Sequence, residues 1–237
     1  MEEFVRLWKN GPWFAQAEHF RLGTDSVLLA DFVRLTGAKR GIDLGSASGI
    51  LPLLLSVRSE KLDMTGIEIV HEAVSLATEN ICVNGLEERC GVIEGDLRDY
   101  RSLFPSGFFD FVVSNPPYYK AGSGKMAEDP DRSAARGELT CTLEDVCSAA
   151  AWFCRTGGNV YLVNKPERLA EMIFLLSSKG LEPKRLRFVK NTVESLPSLV
   201  LLEAKKGGKP GLKIEADLVL KYEDGEETPE YRRIYHR

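Results

Sequence analysis

The sequence has few residues suited to metal binding or to disulfide bonds. Its 237 residues include five cysteines and three histidines. The cysteine count is odd and no two cysteines form a C-x-x-C pair, which favours neither a disulfide framework nor a zinc site. We therefore expect a protein without a metal site.

Long apolar runs and a strong net charge are also lacking. No apolar run reaches the roughly 18 residues that a membrane helix needs, and the first ten residues lack the apolar core of a signal peptide. The formal net charge of −4 does not indicate a nucleic-acid-binding protein, although a sum of this kind is compatible with a local basic face. We expect a cytoplasmic protein that makes no membrane contact, with the oligomeric state open and a monomer favoured.

Apolar strand patterns alternate with helical patterns along most of the chain. The predicted strands are 41–44, 64–69, 91–94, 109–114, 159–163, 186–189 and 199–203, and the predicted helices are 27–33, 50–57, 72–84, 143–154 and 166–180. This order predicts an α/β, Rossmann-like fold with a seven-stranded, mostly parallel sheet and helices on both faces. We expect Thr24 or Asp25 to be the N-cap of the first helix, and 214–222 to form an edge strand or a hairpin arm.

The length suits one large domain, 1–237. Within it we expect three parts: a segment that covers the cofactor or the substrate (1–38), a Rossmann-like core (39–204) and a C-terminal extension (205–237). The extension begins with a turn in which four of the seven residues from Lys205 to Gly211 are glycine or proline.

The strand 109–114 ends in the sequence Asn115-Pro116-Pro117-Tyr118. Each proline fixes its own φ and lacks an N–H donor, so the chain beyond Asn115 is held on one path. This rigid turn is expected to place an amide and an aromatic ring at the carboxyl edge of the sheet, where open α/β folds bind ligands. A strand exit that merely packs a tyrosine is the structural alternative.

Three earlier strands end in glycine or acidic residues. The turn from Asp43 to Gly49 consists mostly of small residues, which lets backbone N–H groups approach a ligand closely, although a structural βα turn explains it about as well. Glu68 suits a hydrogen bond to the ribose hydroxyls of an adenosine-bearing cofactor, and Asp96 suits the adenine amino group. A surface carboxylate at Glu68 and simple capping by Asp96 are the alternatives.

The order of these motifs resembles the class I methyltransferases that carry Asn-Pro-Pro-Tyr. Within that class, the segment from Gly23 to Leu29 and the sequence from Thr228 to Tyr231 resemble the bacterial tRNA1(Val) (adenine-37-N6)-methyltransferase family. Ala47 departs from the pattern, since the family usually has glycine there, and this puts the affinity for the cofactor in question.

The resemblance implies an enzyme that uses S-adenosylmethionine to methylate an adenine N6 in tRNA, with S-adenosylhomocysteine as the other product. It assigns the catalytic turn to Asn115, Pro116, Pro117 and Tyr118. The cofactor-binding residues that it implies are Thr24, Asp25, Asp43, Gly45, Ser46, Gly49, Glu68, Ile69, Asp96, Leu97 and Asn115.

Basic residues are the expected contacts for tRNA. The loop after the catalytic turn carries Lys120, Lys125, Arg132 and Arg136, which we expect to bind substrate together with Tyr118. Later clusters are further candidates: Lys184, Arg185, Arg187 and Lys190, then Lys205, Lys206 and Lys209, then Arg232, Arg233 and Arg237. Each cluster could also be an ordinary solvated surface.

Two other functions remain open at this point. A glutamine N5-methyltransferase of the release-factor type shares Asn-Pro-Pro-Tyr, but that family carries a helical N-terminal domain, whereas only about forty residues precede Asp43 here. A module that binds cofactor or RNA without turnover is the other alternative.

Overall fold

The computed structural model describes residues 3–16, 23–116 and 141–236. Two β-sheets are found in these ranges, a two-stranded hairpin and a nine-stranded central sheet. The strands, in chain order, are β1 (Val5–Arg6), β2 (Trp13–Phe14), β3 (Arg40–Leu44), β4 (Asp63–Glu68), β5 (Cys90–Glu94), β6 (Phe109–Ser114), β7 (Cys154–Asn164), β8 (Leu181–Lys190), β9 (Pro197–Lys206), β10 (Lys213–Ile214) and β11 (Leu218–Val219).

Seven α-helices occur in the same ranges. They are α1 (Thr24–Phe32), α2 (Ile50–Arg58), α3 (His71–Cys82), α4 (Tyr100–Leu103), α5 (Leu143–Phe153), α6 (Leu169–Ser178) and α7 (Pro229–Ile234). Short 3-10 helices precede α4 at Leu97–Asp99 and α6 at Pro166–Arg168. No helix in the described part of the chain is long and apolar enough to cross a bilayer.

The central sheet confirms the predicted mostly parallel arrangement. Its long strands lie in the order β8-β9-β7-β6-β3-β4-β5. Strands β3 to β7 are parallel to their neighbours within this group, and β9 is antiparallel to both β7 and β8. All seven predicted strands are present, and β10 and β11, in the region of the expected edge strand or hairpin arm, each add a two-residue parallel pairing to β8.

Apolar side chains cover both faces of this sheet. Phe111 and Val113 of β6 pack in a core formed with α1 and α2, whereas Phe109 and Val112 pack in a second core formed with α5 and α6. This alternation along β6 follows from the two-residue period of a strand. Burial on both faces explains why the strands read as almost continuous apolar runs in the sequence.

The start of α1 differs from the sequence prediction. The N-cap is Gly23, whose backbone is extended, and no side chain caps this end of the helix. Thr24 and Asp25 are therefore wrong as N-caps and lie in the first turn, where a carboxylate is favoured by the helix dipole. The expected strand or hairpin arm at 214–222 is confirmed as β10 and β11 with an isolated bridge between Lys221 and Glu227.

Both ends of the described chain pack on the α1 side of the sheet. The hairpin of β1 and β2 places Phe14 in the same core as Leu218 and Ile234. The ring of Trp8 stacks on His236 at 4.2 Å between ring centroids. The N-terminal hairpin thus contacts the C-terminal helix region directly.

Candidate active site

Four neighbouring strands end side by side at one edge of the sheet. The register pairs Leu44 with Ile67 and Glu68 with Glu94, and Asp43 with Val113. The turn after β3, the acidic end of β4, the Gly-Asp pair after β5 and Asn115 after β6 therefore share the carboxyl edge. The structure brings together the strand ends that the sequence singled out.

The small-residue turn between β3 and α2 depends on three left-handed residues. Gly45, Ala47 and Gly49 have φ values of 75°, 44° and 80°. A Cβ added to Gly45 would meet no heavy atom within 4 Å, whereas one added to Gly49 would lie 2.9 Å from the Cβ of Ala77. The turn is thus open at Gly45 and packed against α3 at Gly49.

Gly66 of β4 lets this turn lie directly on the sheet. A Cβ at Gly66 would lie 2.3 Å from Ser46 Oγ and 2.9 Å from a methyl carbon of Val92. Because only glycine leaves that space empty, the turn can reach the backbone of β4, where the N–H of Ser46 donates to the carbonyl of Ile67 at 2.9 Å. Gly66 is not among the site residues predicted from the sequence.

Asp43 is buried beneath the turn and has an unsatisfied oxygen. Its Oδ2 accepts a hydrogen bond from Ser46 Oγ at 2.6 Å, while Oδ1 is buried and has no hydrogen-bond partner among the described residues. Burial raises the pKa of Asp43 to about 7, an effect that the Ser46 hydrogen bond opposes and the nearby charge of Glu68 increases. An unpaired acceptor of this kind suits a cationic group of a ligand.

Glu68 fixes the turn through the backbone. Its Oε2 accepts the N–H of Ala47 at 2.8 Å, and its Oε1 accepts the N–H groups of Ile69 and Val70 at 2.8 and 3.0 Å. A carboxylate offers about four lone-pair sites, so three are engaged within the protein. A ribose hydroxyl would use the remaining site, and a bidentate contact would compete with one backbone donor.

Asp96 is paired with Arg98 after β5. Its Oδ1 accepts the backbone N–H of Arg98 at 2.9 Å, which caps the short 3-10 helix, and its carboxylate also accepts from the guanidinium. These hydrogen bonds to Arg98 lower the pKa of Asp96. Asp96 therefore does cap the 3-10 helix, as the structural alternative predicted, and it remains a charged acceptor next to buried Leu97 in the chain.

Ser26 holds the amide of Asn115. The Asn115 Nδ2 donates to Ser26 Oγ at 3.0 Å across 89 positions of sequence, and Ser26 is buried in the first turn of α1. The neighbouring Ser114 Oγ donates to the carbonyl of Leu44 at 2.7 Å, which ties the end of β6 to the end of β3. The sequence analysis quoted Ser26 within a motif but missed it as a site residue.

Thr24 and Asp25 are partly buried next to Ser26 at the start of α1. Because Ser26 contacts Asn115, this first helical turn lies at the carboxyl edge of the sheet. Pro116 is buried immediately after Asn115.

Several predicted substrate residues lie outside the described residues. Pro117 and Tyr118 of the catalytic turn belong to this group, together with the basic residues of the following loop. The four basic positions are Lys120, Lys125, Arg132 and Arg136.

Some members of the later basic clusters have structural contacts. Arg185 is buried, with its Nε 2.6 Å from Glu203 and its guanidinium 3.6 Å from the Phe32 ring centroid. Lys206 Nζ donates to the carbonyl of Cys154 at the start of β7, which is the edge opposite the site. Lys190 lies at the end of β8, on the same edge as the site, and Arg237 lies outside the described residues.

Two more of these arginines are neutralised by carboxylates. Arg187 contacts both oxygens of Glu230 at 2.8 and 2.7 Å. Arg233 contacts both oxygens of Asp31 at 2.8 and 2.9 Å. Bidentate pairs of this kind fix α7 against β8 and α1, which is a structural role.

Hydrogen-bonding groups lie along the described part of this edge. Within the described ranges no group of three or more metal-ligating side chains is found. Cys141 interacts electrostatically with Asp96 and Glu68, and burial, together with Asp145, raises its pKa to about 12. A thiol that stays protonated is a poor nucleophile.

The donor and acceptor set fits S-adenosylmethionine. The unpaired Asp43 Oδ1 suits its ammonium group, and the open space at Gly45 leaves room beside the turn. Glu68 and Asp96 are carboxylates at the ends of the neighbouring strands β4 and β5, where they could accept hydrogen bonds from a ribose and an adenine.

Comparisons with known proteins give the family. Residues 14–176 match the family model described as Methyltransferase small domain. The tRNA1(Val) (adenine(37)-N6)-methyltransferase of Tolumonas auensis is 32% identical over 214 residues, which cover 89% of this chain and 86% of that protein. The protein of the same name from Escherichia coli O157:H7 is 31% identical over 204 residues, which cover 83% and 82%.

A solved structure confirms the Rossmann-like methyltransferase fold. It is described as a predicted O-methyltransferase from Agrobacterium tumefaciens and aligns with a TM-score of 0.73 over 90% of this chain and 96% of that chain. At 22% identity this likeness concerns the fold alone. The sequence relatives, in contrast, are similar enough to fix the family: this chain is a member of the methyltransferase small domain family and, within it, of the tRNA1(Val) (adenine(37)-N6)-methyltransferases.

Proposed function

We propose that this enzyme transfers the methyl group of S-adenosylmethionine to the N6 atom of an adenine in tRNA, in the cytoplasm. The target we propose is adenine 37 of a valine tRNA, which is the base given in the names of the related enzymes. The observation that carries the proposal is the position of Asn115, held by Ser26 at the strand end beside the turn of Asp43 to Gly49.

The amide and the turn that follows it suit an exocyclic amine. The N6 lone pair of adenine is delocalised into the ring, which makes this nitrogen a poor nucleophile. If the Asn115 side-chain oxygen and the Pro116 carbonyl accept its two N–H groups, the nitrogen becomes more sp3-like and its lone pair can point at the methyl group. The N6–C bond then forms as the sulfur–methyl bond breaks, and one N6 proton leaves to water.

The methyl donor arrives already activated. S-adenosylmethionine supplies a methyl group on a positively charged sulfur, so the protein mainly has to align the two reactants. Alignment of this kind needs a rigid site, and two hydrogen bonds at the end of β6 provide it, one from Asn115 to Ser26 and one from Ser114 to Leu44.

The cofactor contacts are proposed residue by residue. Asp43 would accept the cofactor ammonium, Glu68 the ribose and Asp96 the adenine amine, with Ile69 and Leu97 beside the adenine. Gly45, Ser46 and Gly49 would shape the turn, and Thr24 and Asp25 would cover the methionine end. The buried, unpaired Oδ1 of Asp43 is the feature that most needs such a ligand.

The substrate contacts are proposed for the segment that follows Pro116. Tyr118 would stack on the target base, which is worth roughly 1–3 kcal/mol for aromatic side chains on single-stranded bases. Lys120, Lys125, Arg132 and Arg136 would neutralise phosphates around it. An anticodon-loop purine suits this mode because it can leave its stack more easily than a paired base.

Transfer of labelled methyl to unmodified bulk tRNA tests the reaction. We expect label as N6-methyladenosine with the wild type, and a loss of about 100-fold or more with Asn115→Ala, since one group aimed at developing charge is commonly worth this much. Asn191→Ala, which removes an exposed amide on the β8–β9 turn, is the matched control and should keep full activity.

Other outcomes would reject the proposal. Label in a release-factor protein and none in tRNA would assign the chain to the glutamine N5-methyltransferases. Cofactor binding without label in either acceptor would favour a binding module, and full activity in Asn115→Ala would exclude the assigned role of the amide.

A further inference from the structure

Two asparagines, Asn80 on α3 and Asn84 in the turn just after it, hold residues Trp13 and Ala15 by the same kind of contact. The Asn84 side chain accepts the backbone N–H of Trp13 at 2.8 Å and donates to its carbonyl at 2.7 Å. The Asn80 side chain accepts the N–H of Ala15 at 2.7 Å and donates to its carbonyl at 3.0 Å. Each amide thus behaves like one residue of a neighbouring β-strand.

The spacing of the two pairs explains why this arrangement fits. Trp13 and Ala15 are two residues apart on an extended segment, a distance of about 6.7 Å. Asn80 and Asn84 are four residues apart, and the αR backbone of Val83 continues the helical path beyond the end of α3, which gives a rise of about 6 Å. Ala15 therefore meets α3, and Trp13 meets the turn that follows it.

Asn80 makes one contact that Asn84 does not make. Its Nδ2 also donates to the carbonyl of Ser48 at 3.0 Å, in the turn between β3 and α2. Both N–H groups of the Asn80 amide are thereby used, and the side chain is fully buried. A buried amide with this many partners has essentially one orientation.

Ser48 lies in the most constrained part of the cofactor turn. It follows Ala47 and precedes Gly49, both of which have positive φ values. Glu68 holds the Ala47 N–H from one side, and Asn80 holds the Ser48 carbonyl from the other. The path of the turn thus depends on α3 as well as on the strand ends.

We propose that Asn80 is a positioning residue for S-adenosylmethionine. Its side chain joins the carbonyl of Ser48, in the cofactor turn, to the backbone of Ala15, in the N-terminal segment. The inference rests on the proposed cofactor site. Because one side chain holds both elements, cofactor binding orders residues 13–16, and docking of those residues strengthens cofactor binding by the same factor.

Calorimetric titration with S-adenosylhomocysteine tests this role, with Asn84→Ala as the matched control. Both substitutions remove an asparagine that binds the backbone of residues 13–15, but only Asn80→Ala removes a contact to the cofactor turn. We expect the Kd to rise at least 10-fold in Asn80→Ala and less than 2-fold in Asn84→Ala. If Asn80→Ala does not fold, Asn80→Asp keeps the acceptor for Ala15 and still loses the donor to Ser48.

Hydrogen exchange supplies a second readout that does not depend on turnover. In the wild type, saturating S-adenosylhomocysteine should slow exchange of the Ala15 amide, and this protection should be lost in Asn80→Ala. Equal Kd values for the two alanine variants, or an Ala15 amide that exchanges at the same rate with and without ligand, would overturn the role of Asn80. Failure of the wild type to bind S-adenosylhomocysteine would instead overturn the cofactor site on which the role rests.

Discussion

Ala47→Gly should raise the free energy of unfolding, although replacing alanine by glycine usually lowers it. Ala47 is held at a φ of 44°, in the left-handed region that its Cβ disfavours. Its N–H donates to Glu68 at 2.8 Å, a bond that glycine would keep. The substitution therefore removes a methyl group from a strained residue and leaves the fold of the turn unchanged.

The size of the effect follows from two opposing contributions. A left-handed conformation costs an L-residue about 1–2 kcal/mol. Glycine in turn adds conformational freedom to the unfolded chain, which lowers stability by about 0.4–1 kcal/mol. The expected net gain in the free energy of unfolding is about 0.5–1 kcal/mol, or a rise in Tm of about 1–4 °C for a protein of this size.

Urea unfolding of the wild type and of Ala47→Gly measures this gain, provided that the two proteins have the same m-value. Ala151→Gly provides the control, since Ala151 lies in the regular helix α5 and should lose about 1 kcal/mol from helix propensity. A loss of similar size for Ala47→Gly would refute the strain at Ala47. It would mean that the turn tolerates the alanine without cost.

Three further predictions concern the same edge. Ser26→Ala should lower kcat about 5- to 10-fold through the loss of one hydrogen bond to Asn115, with the Kd for S-adenosylhomocysteine unchanged; an unchanged kcat would contradict this role. Gly66→Ala should cost about 1–3 kcal/mol in urea unfolding, because its Cβ would lie 2.3 Å from Ser46 Oγ, and an unchanged midpoint would show that the turn can shift freely. Burial raises the pKa of Asp43 from 3.8 to about 7. Between these two pH values the folded protein keeps a proton that the unfolded chain has lost. The free energy of unfolding therefore falls as pH rises through this range and levels off above it. The expected slope is about 1.4 kcal/mol per pH unit between pH 5 and pH 7, and stability curves that are parallel for the wild type and Asp43→Asn would exclude it.

The sheet could be predicted because each strand leaves a local pattern. Segments such as Phe109–Ser114 are apolar, β-branched or aromatic, and end at a proline or glycine, so both their type and their ends can be read from neighbouring residues. Parallel strands with helical crossovers then place their carboxyl ends at one edge. The grouping of Asp43, Glu68, Asp96 and Asn115 follows from this topology.

Other features depend on contacts between distant residues. Nothing near Ser26 in the sequence indicates that its hydroxyl meets Asn115, 89 positions away. Strand β10 has two residues and forms only because β8 offers an open edge to it. Arg185 belongs to a basic run, yet tertiary packing buries it against Glu203. Local composition cannot distinguish such a residue from a surface cation.

The central claim is best tested on a single defined substrate. The enzyme and S-adenosylmethionine would be incubated with an unmodified valine tRNA transcript that has adenine at position 37, and with a matched transcript that has guanine there. Mass spectrometry of the digested RNA would count the methyl groups. The account predicts one N6-methyladenosine per adenine-37 transcript and none on the guanine variant. Equal methylation of both transcripts, or of neither, would contradict it.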